Sequence, residues 1–354
     1  MYLKDKRILV TGGTGSLGKT LVRRLLAGDM GTPKKVIVLS RDEAKQHNMR
    51  MEYLHQSVTT DEVIYNNFKQ ILEFRIGDVR DYHDVCAAIK SVDIVVNAAA
   101  LKQVPTCEYF PGQAVQTNCV GVQNIVNAII ENQYPVKTVL GVSTDKACKP
   151  VNVMGMTKAI QERIFISANV LAPETRFVCV RYGNVLASRG SVIPLFHEQI
   201  KNGGPVTLTN PKMTRFLLSL EQAVDLIFAA LKGAYGGETY IPRVPSATVE
   251  NIASALIGDR GISVDIMGER PGEKLHEILI SEEECRHTIS RDKYYVILPM
   301  LPELCSTKDI NVALTDEYSS GDEIASLDET VSLLKAHNLL LDQVNIADSQ
   351  ELLV

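Results

Sequence analysis

The chain has 354 residues, 45% of them hydrophobic and 22% charged, a globular balance that excludes wholesale disorder. At roughly 150 residues per domain it is long enough for about two domains. Its net charge of −5 argues against a nucleic-acid-coating protein, and no apolar run reaches the roughly 18–20 residues of a membrane span.

In chain order, Met1–Arg7 leads straight into an apolar strand without a secretory layout, so a cytoplasmic protein is expected, with no nucleic acid and no membrane among its partners. Arg7–Thr11 reads as a short strand, followed by a glycine turn and a helix from Ser16 to about Ala27. Further strands are expected at Lys35–Leu39, Glu73–Ile76, Asp93–Asn97, Val136–Val142 and Arg176–Arg181. Continuous apolar strands alternating with helical stretches predict an α/β fold: a doubly wound parallel sheet, covered on both faces, with right-handed crossovers. After Arg181, glycine and proline become more frequent and the elements shorten, which predicts a smaller C-terminal domain. Ser319-Ser320-Gly321-Asp322 reads as a loop and Asp328–Ala336 as a helix, in a tail that starts near residue 301. The seven cysteines never pair as CxxC and the seven histidines lack HxxxH spacing, so no disulfide framework and no metal site are expected.

Thr11-Gly12-Gly13-Thr14-Gly15-Ser16-Leu17-Gly18 lies between the first strand and the first helix. Glycines three apart let the backbone turn tightly and approach a pyrophosphate, while the helix start supplies N–H donors and a favourable dipole. This predicts a Rossmann-type dinucleotide site with Gly12, Thr14, Gly15, Ser16, Leu17 and Gly18 as its cradle. The second strand ends in Ser40-Arg41-Asp42. Arg41 and Ser40 suit a ribose 2′-phosphate, which favours NADP; Asp42 would suit a 2′-hydroxyl and keeps NAD open. Asp78 and Val79 after the third strand are expected at the adenine, and Ala98, Ala99 and Ala100 after the fourth at the ribose and nicotinamide. Residues 1–182 are accordingly expected to form the NADP-binding domain, with later segments returning to it. Residues 183–300 are expected to be mainly substrate-binding, and 301–354 to be a tail that contributes an oligomer contact.

Val142-Ser143-Thr144-Asp145-Lys146 closes a strand, and Lys158 follows on the next helix. Here the chain resembles the extended short-chain dehydrogenase/reductases, which place a hydroxyl residue at this strand end and a YxxxK on the helix. Lys158 matches the lysine, but Met154 stands where the tyrosine would be, and a thioether carries no proton. The Thr144-Asp145-Lys146 triplet resembles one branch more closely, the UDP-N-acetylglucosamine 4,6-dehydratases of the capsule and flagellin-sugar type. Further matches are Ala100–Pro105, Thr117-Asn118, Arg181–Val185, Ser188–Ser191, Met213–Phe216 and Arg270–Lys274, so the resemblance covers about residues 4–300.

The resemblance implies oxidation of a UDP-sugar at C4, loss of water across C5–C6 and hydride return to C6, in the synthesis of a bacterial surface glycan. It assigns Asp145 as the acid at C6, Lys146 as the base at C5, Lys158 to the nicotinamide ribose and Thr144 to the C4 oxygen. A lysine base must be partly neutral, so burial or the cations Lys102 and Lys158 are expected to lower its pKa. Without a tyrosine, the C4 hydroxyl proton is left to a water held by Thr144 and Lys158, or to Asp145. Lys102, Asn118, Met154, Asn184, Arg189, Arg215, Arg270 and Glu273 are expected on the substrate, with Glu273 accepting from the uridine ribose. The resemblance also implies a homo-oligomer and leans to inversion at C5. Three other readings compete: a surface ion pair between Asp145 and Lys149, a UDP-sugar 4-epimerase, and a non-catalytic NADP-binding sensor.

Overall fold

A computed structural model describes residues 1–55, 62–186, 191–268, 272–305 and 311–343. Its centre is a sheet built from β1 (Arg7–Thr11), β2 (Lys35–Ser40), β3 (Leu72–Ile76), β4 (Ile94–Asn97), β5 (Thr138–Thr144) and β6 (Arg176–Tyr182). The shorter strands that follow are β7 (Val206–Leu208), β8 (Thr214–Phe216), β9 (Thr239–Pro242), β10 (Ser246–Thr248), β11 (Val264–Ile266), β12 (Ile278–Ile280), β13 (Thr288–Arg291), β14 (Tyr294–Ile297) and β15 (Tyr318–Ser319). The large sheet runs β13-β14-β9-β6-β5-β4-β1-β2-β3, parallel from β3 to β9 and closed by the antiparallel hairpin of β13 and β14.

The helices are α1 (Ser16–Ala27), α2 (Glu43–His55), α3 (Glu62–Ile71), α4 (Tyr82–Ile89), α5 (Val104–Tyr109), α6 (Pro111–Val115), α7 (Gly121–Asn132), α8 (Val153–Leu171), α9 (Val192–Lys201), α10 (Leu220–Gly233), α11 (Val249–Ile257), α12 (Glu282–Cys285) and α13 (Leu327–Ala336). A π turn at Gln116–Val120 joins α6 to α7. The apolar strands bury both faces, one under α1, α3 and α10 and the other under α4, α7 and α8. Strand order reverses at β1, beside β4, which opens a crevice at the carboxyl ends of these strands.

The boundary expected near residue 183 does not divide the main sheet from the rest, because α10, β9, β13 and β14 all belong to the larger body. A second lobe is built from α9, the β7–β11 and β8–β10 pairs, α11 and α13 around their own core. The segment expected to be a tail is corrected here. Leu334 of α13 is fully buried against α11, so Leu327–Ala336 packs into the second lobe's core, and β15 pairs with β12. Among the described residues no helix is long and apolar enough to cross a membrane, and no group of three or more metal-ligating side chains forms a metal site.

Arg181 on β6 binds α8 and α12 together. It donates to both oxygens of Glu162 at 3.0 and 2.7 Å, to both oxygens of Glu284 at 2.7 and 2.8 Å, and to the Leu279 carbonyl at 2.8 Å. Burial pushes the Glu284 carboxyl up, but the Arg181 charge and hydrogen bonds outweigh this and hold it at about 2. A depressed carboxylate stabilises the fold above its unfolded value of 4.5 and loses that contribution as pH falls toward 2. Arg181→Met strands two buried carboxylates and is expected to cost about 3–5 kcal/mol. A urea midpoint at pH 7 near that of wild type would show that the cluster contributes little.

Candidate active site

Gly12 turns out of β1 with φ +67°, and a Cβ there would fall 2.8 Å from the Ala99 backbone; at Gly18 it would fall 2.5 Å from Gly13 Cα. Only glycine allows the turn, the 98–100 segment and the start of α1 to approach so closely. Gly15 precedes α1 and gives it no side-chain cap, which leaves the first-turn N–H groups and the helix dipole for an anion. Thr14 and Ser16 are half-buried on the turn, and Leu17 packs on the core. Thr11 Oγ1 donates to Asn97 Oδ1 at 2.7 Å and accepts from the Ala99 N–H at 3.2 Å, tying the ends of β1 and β4. Asn97 Nδ2 and Ser143 Oγ, at the ends of β4 and β5, are buried without a hydrogen-bond partner. A cradle that a Cβ would fill, an uncapped helix start and orphaned polar atoms at the strand ends together fit a dinucleotide.

At the end of β2, Ser40 Oγ accepts from Gln46 Nε2 at 3.0 Å. Arg41 is 52% exposed and lies 3.8 Å from the Asp78 carboxylate. Asp42 accepts the Lys45 N–H at 3.0 Å, a bond that lowers its pKa and caps the start of α2. Asp78 accepts from Arg80 Nε at 2.8 Å; burial raises its pKa, and the Arg80 bonds outweigh that. Val79 is buried against Gly121 of α7. Ala98, Ala99 and Ala100 are half-buried beside the Gly12 turn.

The β5 strand ends in a tight turn at Asp145–Ala147. Asp145 is fully buried and accepts from Thr144 Oγ1 at 2.8 Å and from Lys146 Nζ at 3.2 Å, while its other oxygen has no partner. Burial raises the Asp145 pKa more than Lys146 lowers it, and Glu277 adds to the rise. Lys146 Nζ also meets Glu277 Oε1 at 2.9 Å and donates to Asn184 Oδ1 at 3.3 Å. Burial would lower the Lys146 pKa, but the Asp145 and Glu277 carboxylates raise it above the ordinary value. This corrects the expectation of a depressed lysine, because its nearest charges are anions. The Asp145–Lys149 surface pair is also overturned, since Lys149 pairs with Glu317 at 2.7 Å and Asp145 is inside.

Lys158 is depressed instead, pushed down by burial to about 8, and burial also lowers Lys274. The Lys158 ammonium donates to the Val142 carbonyl and to Gln161 Oε1, both at 2.6 Å. Met154, one turn earlier on α8, is 5% exposed and packs with Leu101, Val104, Cys107, Ala114 and Val153. Asn118 is corrected from a ligand contact to an internal brace. It is fully buried in the π turn, bonded to the Leu101 N–H at 2.8 Å, the Leu101 carbonyl at 3.0 Å and Thr157 Oγ1 at 3.0 Å.

Lys102 and Glu273 are exposed, and Asn184 is half-buried beside Lys146. Arg215 on β8 is drawn inward: its Nη1 donates to the Thr214 carbonyl at 2.7 Å and the Lys274 carbonyl at 3.2 Å, and its Nε lies 3.8 Å from Glu277. Arg189 and Arg270 lie outside the described residues. The residue that sequence reasoning missed is Glu277, whose buried Oε2 has no partner. Its one signal was a lone acidic residue directly before the apolar strand β12, four positions after Glu273.

Gly155 decides how closely α8 approaches the 145–147 turn. A Cβ there would fall 2.1 Å from the Lys146 carbonyl oxygen. Asn152 caps α8 by accepting the Gly155 N–H at 2.8 Å and donates to the Gly272 carbonyl at 2.9 Å, which ties the helix start to the loop before β12.

The profile of a family described as polysaccharide biosynthesis protein matches residues 8–299. A UDP-N-acetylglucosamine 4,6-dehydratase (inverting) of Campylobacter jejuni is 41% identical over 87% of this chain and 87% of its own length. A UDP-glucose 4-epimerase of Rickettsia conorii is also 41% identical, over 96% of this chain and 97% of its own. The X-ray structure of Pen from Bacillus thuringiensis superposes with a TM-score of 0.85 at 35% identity, covering 96% of this chain and 100% of that one.

Gly155→Ala gains about 1 kcal/mol of helix propensity but drives a methyl group into backbone, an overpacking cost of about 1–3 kcal/mol. The net expectation is a lower urea midpoint and reduced turnover, because the Lys146 carbonyl must move. A stabilised variant of full activity would show that the turn yields freely.

Proposed function

The chain belongs to the polysaccharide biosynthesis protein family, and we propose that it is a sugar-nucleotide dehydratase that converts UDP-N-acetylglucosamine to a UDP-4-keto-6-deoxy-N-acetylhexosamine with inversion at C5. The product is a precursor of a bacterial surface glycan. The observation that carries this reading is the fully buried carboxyl of Asp145, one oxygen unpartnered and the other 3.2 Å from Lys146 Nζ, with a pKa that burial raises.

Once C4 is a ketone, the C5 proton is acidic. Lys146 takes that proton, and Asp145 gives its own to the departing C6 hydroxyl. This division follows Brønsted logic, in which each group needs the correct protonation state at the working pH. Thr144, hydrogen-bonded to Asp145, orients the acid and faces the C4 oxygen. A bound nicotinamide dinucleotide supplies hydride acceptance and return. Gly12, Thr14, Gly15, Ser16, Leu17 and Gly18 would cradle its pyrophosphate, Asp78 and Val79 its adenine, and Ala98–Ala100 with Lys158 its nicotinamide ribose. NADP is the favoured form, because Ser40 and Arg41 end β2 while Asp42 is occupied in capping α2. Asn184, Arg215 and Glu273, with Arg189 and Arg270, are assigned to the UDP half, and Lys102 and Met154 to the rim and wall around the hexose. The enzyme works in the cytoplasm as a homo-oligomer, a reading supported by the exposed apolar residues Met156 and Ile160 on α8.

A second reading, a UDP-sugar 4-epimerase, is favoured by the name of the Rickettsia relative. Epimerisation at C4 needs no acid for C6 and no base for C5, so it leaves Asp145 and Lys146 without work. Incubation with UDP-N-acetylglucosamine separates the two, since only the dehydratase makes a 4-keto-6-deoxy sugar.

Lys146→Ala is expected to lower dehydration by at least about 10²–10⁴-fold, the usual span of a lost general base, while NADP still binds. Turnover near the wild-type rate would remove Lys146 from the mechanism.

Arg41→Ala is expected to weaken NADP far more than NAD, because only NADP has a 2′-phosphate to lose. Equal losses, read by titration of each cofactor, would withdraw the preference for NADP.

A further inference from the structure

We propose that Glu277 is a positioning residue that takes the ammonium proton of Lys146 and so presents Lys146 to the sugar C5 as a neutral amine. This rests on the dehydratase reading. Lys146 Nζ is nearer to Glu277 Oε1, at 2.9 Å, than to Asp145 Oδ1, at 3.2 Å. The Glu277 side chain is only 2% exposed, and its second oxygen is a buried acceptor without a partner. Its backbone is fixed on both sides: the Glu277 N–H donates to Ser320 Oγ at 2.9 Å, and the Ser320 N–H donates to the Glu277 carbonyl at 2.8 Å.

The groups around this carboxylate are Asp145 and Lys146 from the turn after β5, Arg215 from β8 and Lys274 from its own loop. Neighbouring His276 turns away to Thr214 Oγ1, at 2.8 Å. The Glu277 carboxylate is the closest acceptor of the Lys146 proton, and an ammonium is no base. Asp145 cannot accept that proton and also serve as the acid at C6. Glu277 is the remaining acceptor.

One Lys146 N–H bond breaks and a Glu277 O–H bond forms, giving an amine beside a neutral carboxyl. The amine lone pair takes the C5 proton, and the C5–H electron pair becomes the C5–C6 double bond. The C6–O bond breaks, and its oxygen leaves as water with the Asp145 proton. Inversion puts the new C5 proton on the opposite face, taken from solvent; Lys146 releases to solvent the proton it took and then recovers one from Glu277. Asp145 regains from solvent the equivalent of the proton that left the C4 hydroxyl.

The test uses the full-length, NADP-loaded enzyme with UDP-N-acetylglucosamine, following the 4-keto-6-deoxy product and KM from pH 6 to 10. Glu277→Gln keeps size and polarity but accepts no proton. It is expected to lose about 10²–10³ in kcat at pH 7, within the range for a lost proton-transfer partner, with KM unchanged within a few-fold. Its rate should climb toward high pH, where solvent removes the Lys146 proton, while the wild-type rate stays flat there. Glu277→Asp keeps the charge but draws it back, and should show a smaller loss with the same alkaline recovery. This variant also carries the test if the glutamine form does not fold. A near-wild-type rate, or a loss that is equal at every pH, overturns the proposal, because a purely structural role gives no alkaline recovery. Wild-type enzyme that makes no 4-keto-6-deoxy sugar overturns the dehydratase reading first, independently of either variant.

Discussion

Burying a lysine between two carboxyl groups strips water from each charge present, a penalty of several kcal/mol per ion that only close mutual contact offsets. In this chain the three groups come from separate places. Asp145 and Lys146 stand on the turn that ends β5, whereas Glu277 arrives from the segment just before β12. The cluster therefore exists only when that segment is seated against the end of β5. Arg215 on β8 adds a second cation near Glu277 and faces its charge. The electrostatics of the site and the seating of the chain before β12 are one constraint.

A second ionic cluster lies behind the first and acts on the same helix. Arg181 clamps Glu162 of α8 and Glu284 of α12, with no side chain of the three more than 10% exposed. At its other end α8 lies so close to the Lys146 carbonyl that only glycine fits at position 155. The helix is thus held at its start by steric contact and in its middle by charge. Lys158 and Met154 sit between these restraints, so their positions follow from both. A reacting group misplaced by about 1 Å can lose some 10²-fold in rate, which makes this double restraint of α8 functionally relevant.

The parts of the fold legible in the sequence were those set by local pattern. Arg7–Thr11 and Ser16–Ala27 match the observed elements residue for residue, because a buried parallel strand needs a continuous apolar run and α1 has a clear start and stop. The glycine cradle was legible because its spacing has a steric cause. What could not be read depended on long-range contact. Glu277 lies 131 positions from Lys146 in sequence, and only the folded chain brings them within 2.9 Å. The charge state of Lys146 was misjudged for that reason. Asn118 looked like a ligand contact because a polar residue in a motif gives no sign of whether its partners are internal. The C-terminal helix was placed correctly near Leu327–Ala336, but that it fills the second lobe's core depends on α11, far away in the chain.

On the dehydratase reading, the substitution of Met154 for a proton-bearing side chain and the elaboration around Lys146 are two sides of one arrangement. Chemistry confined to C4 needs a single well-placed proton acceptor beside Lys158. Here that helical position is a thioether sealed among Leu101, Val104 and Cys107. The proton-handling capacity lies instead around the end of β5, where one buried carboxyl has a raised pKa and a second, with a lowered one, meets Lys146 at 2.9 Å. Three titratable groups within hydrogen-bond reach exceed what oxidation and reduction at one carbon require. They match a step in which one proton must leave carbon while another is delivered to a departing hydroxyl. Such a step needs an acid and a base at the same moment, and groups of opposite protonation state coexist this close only in a buried site that sets each by its neighbours.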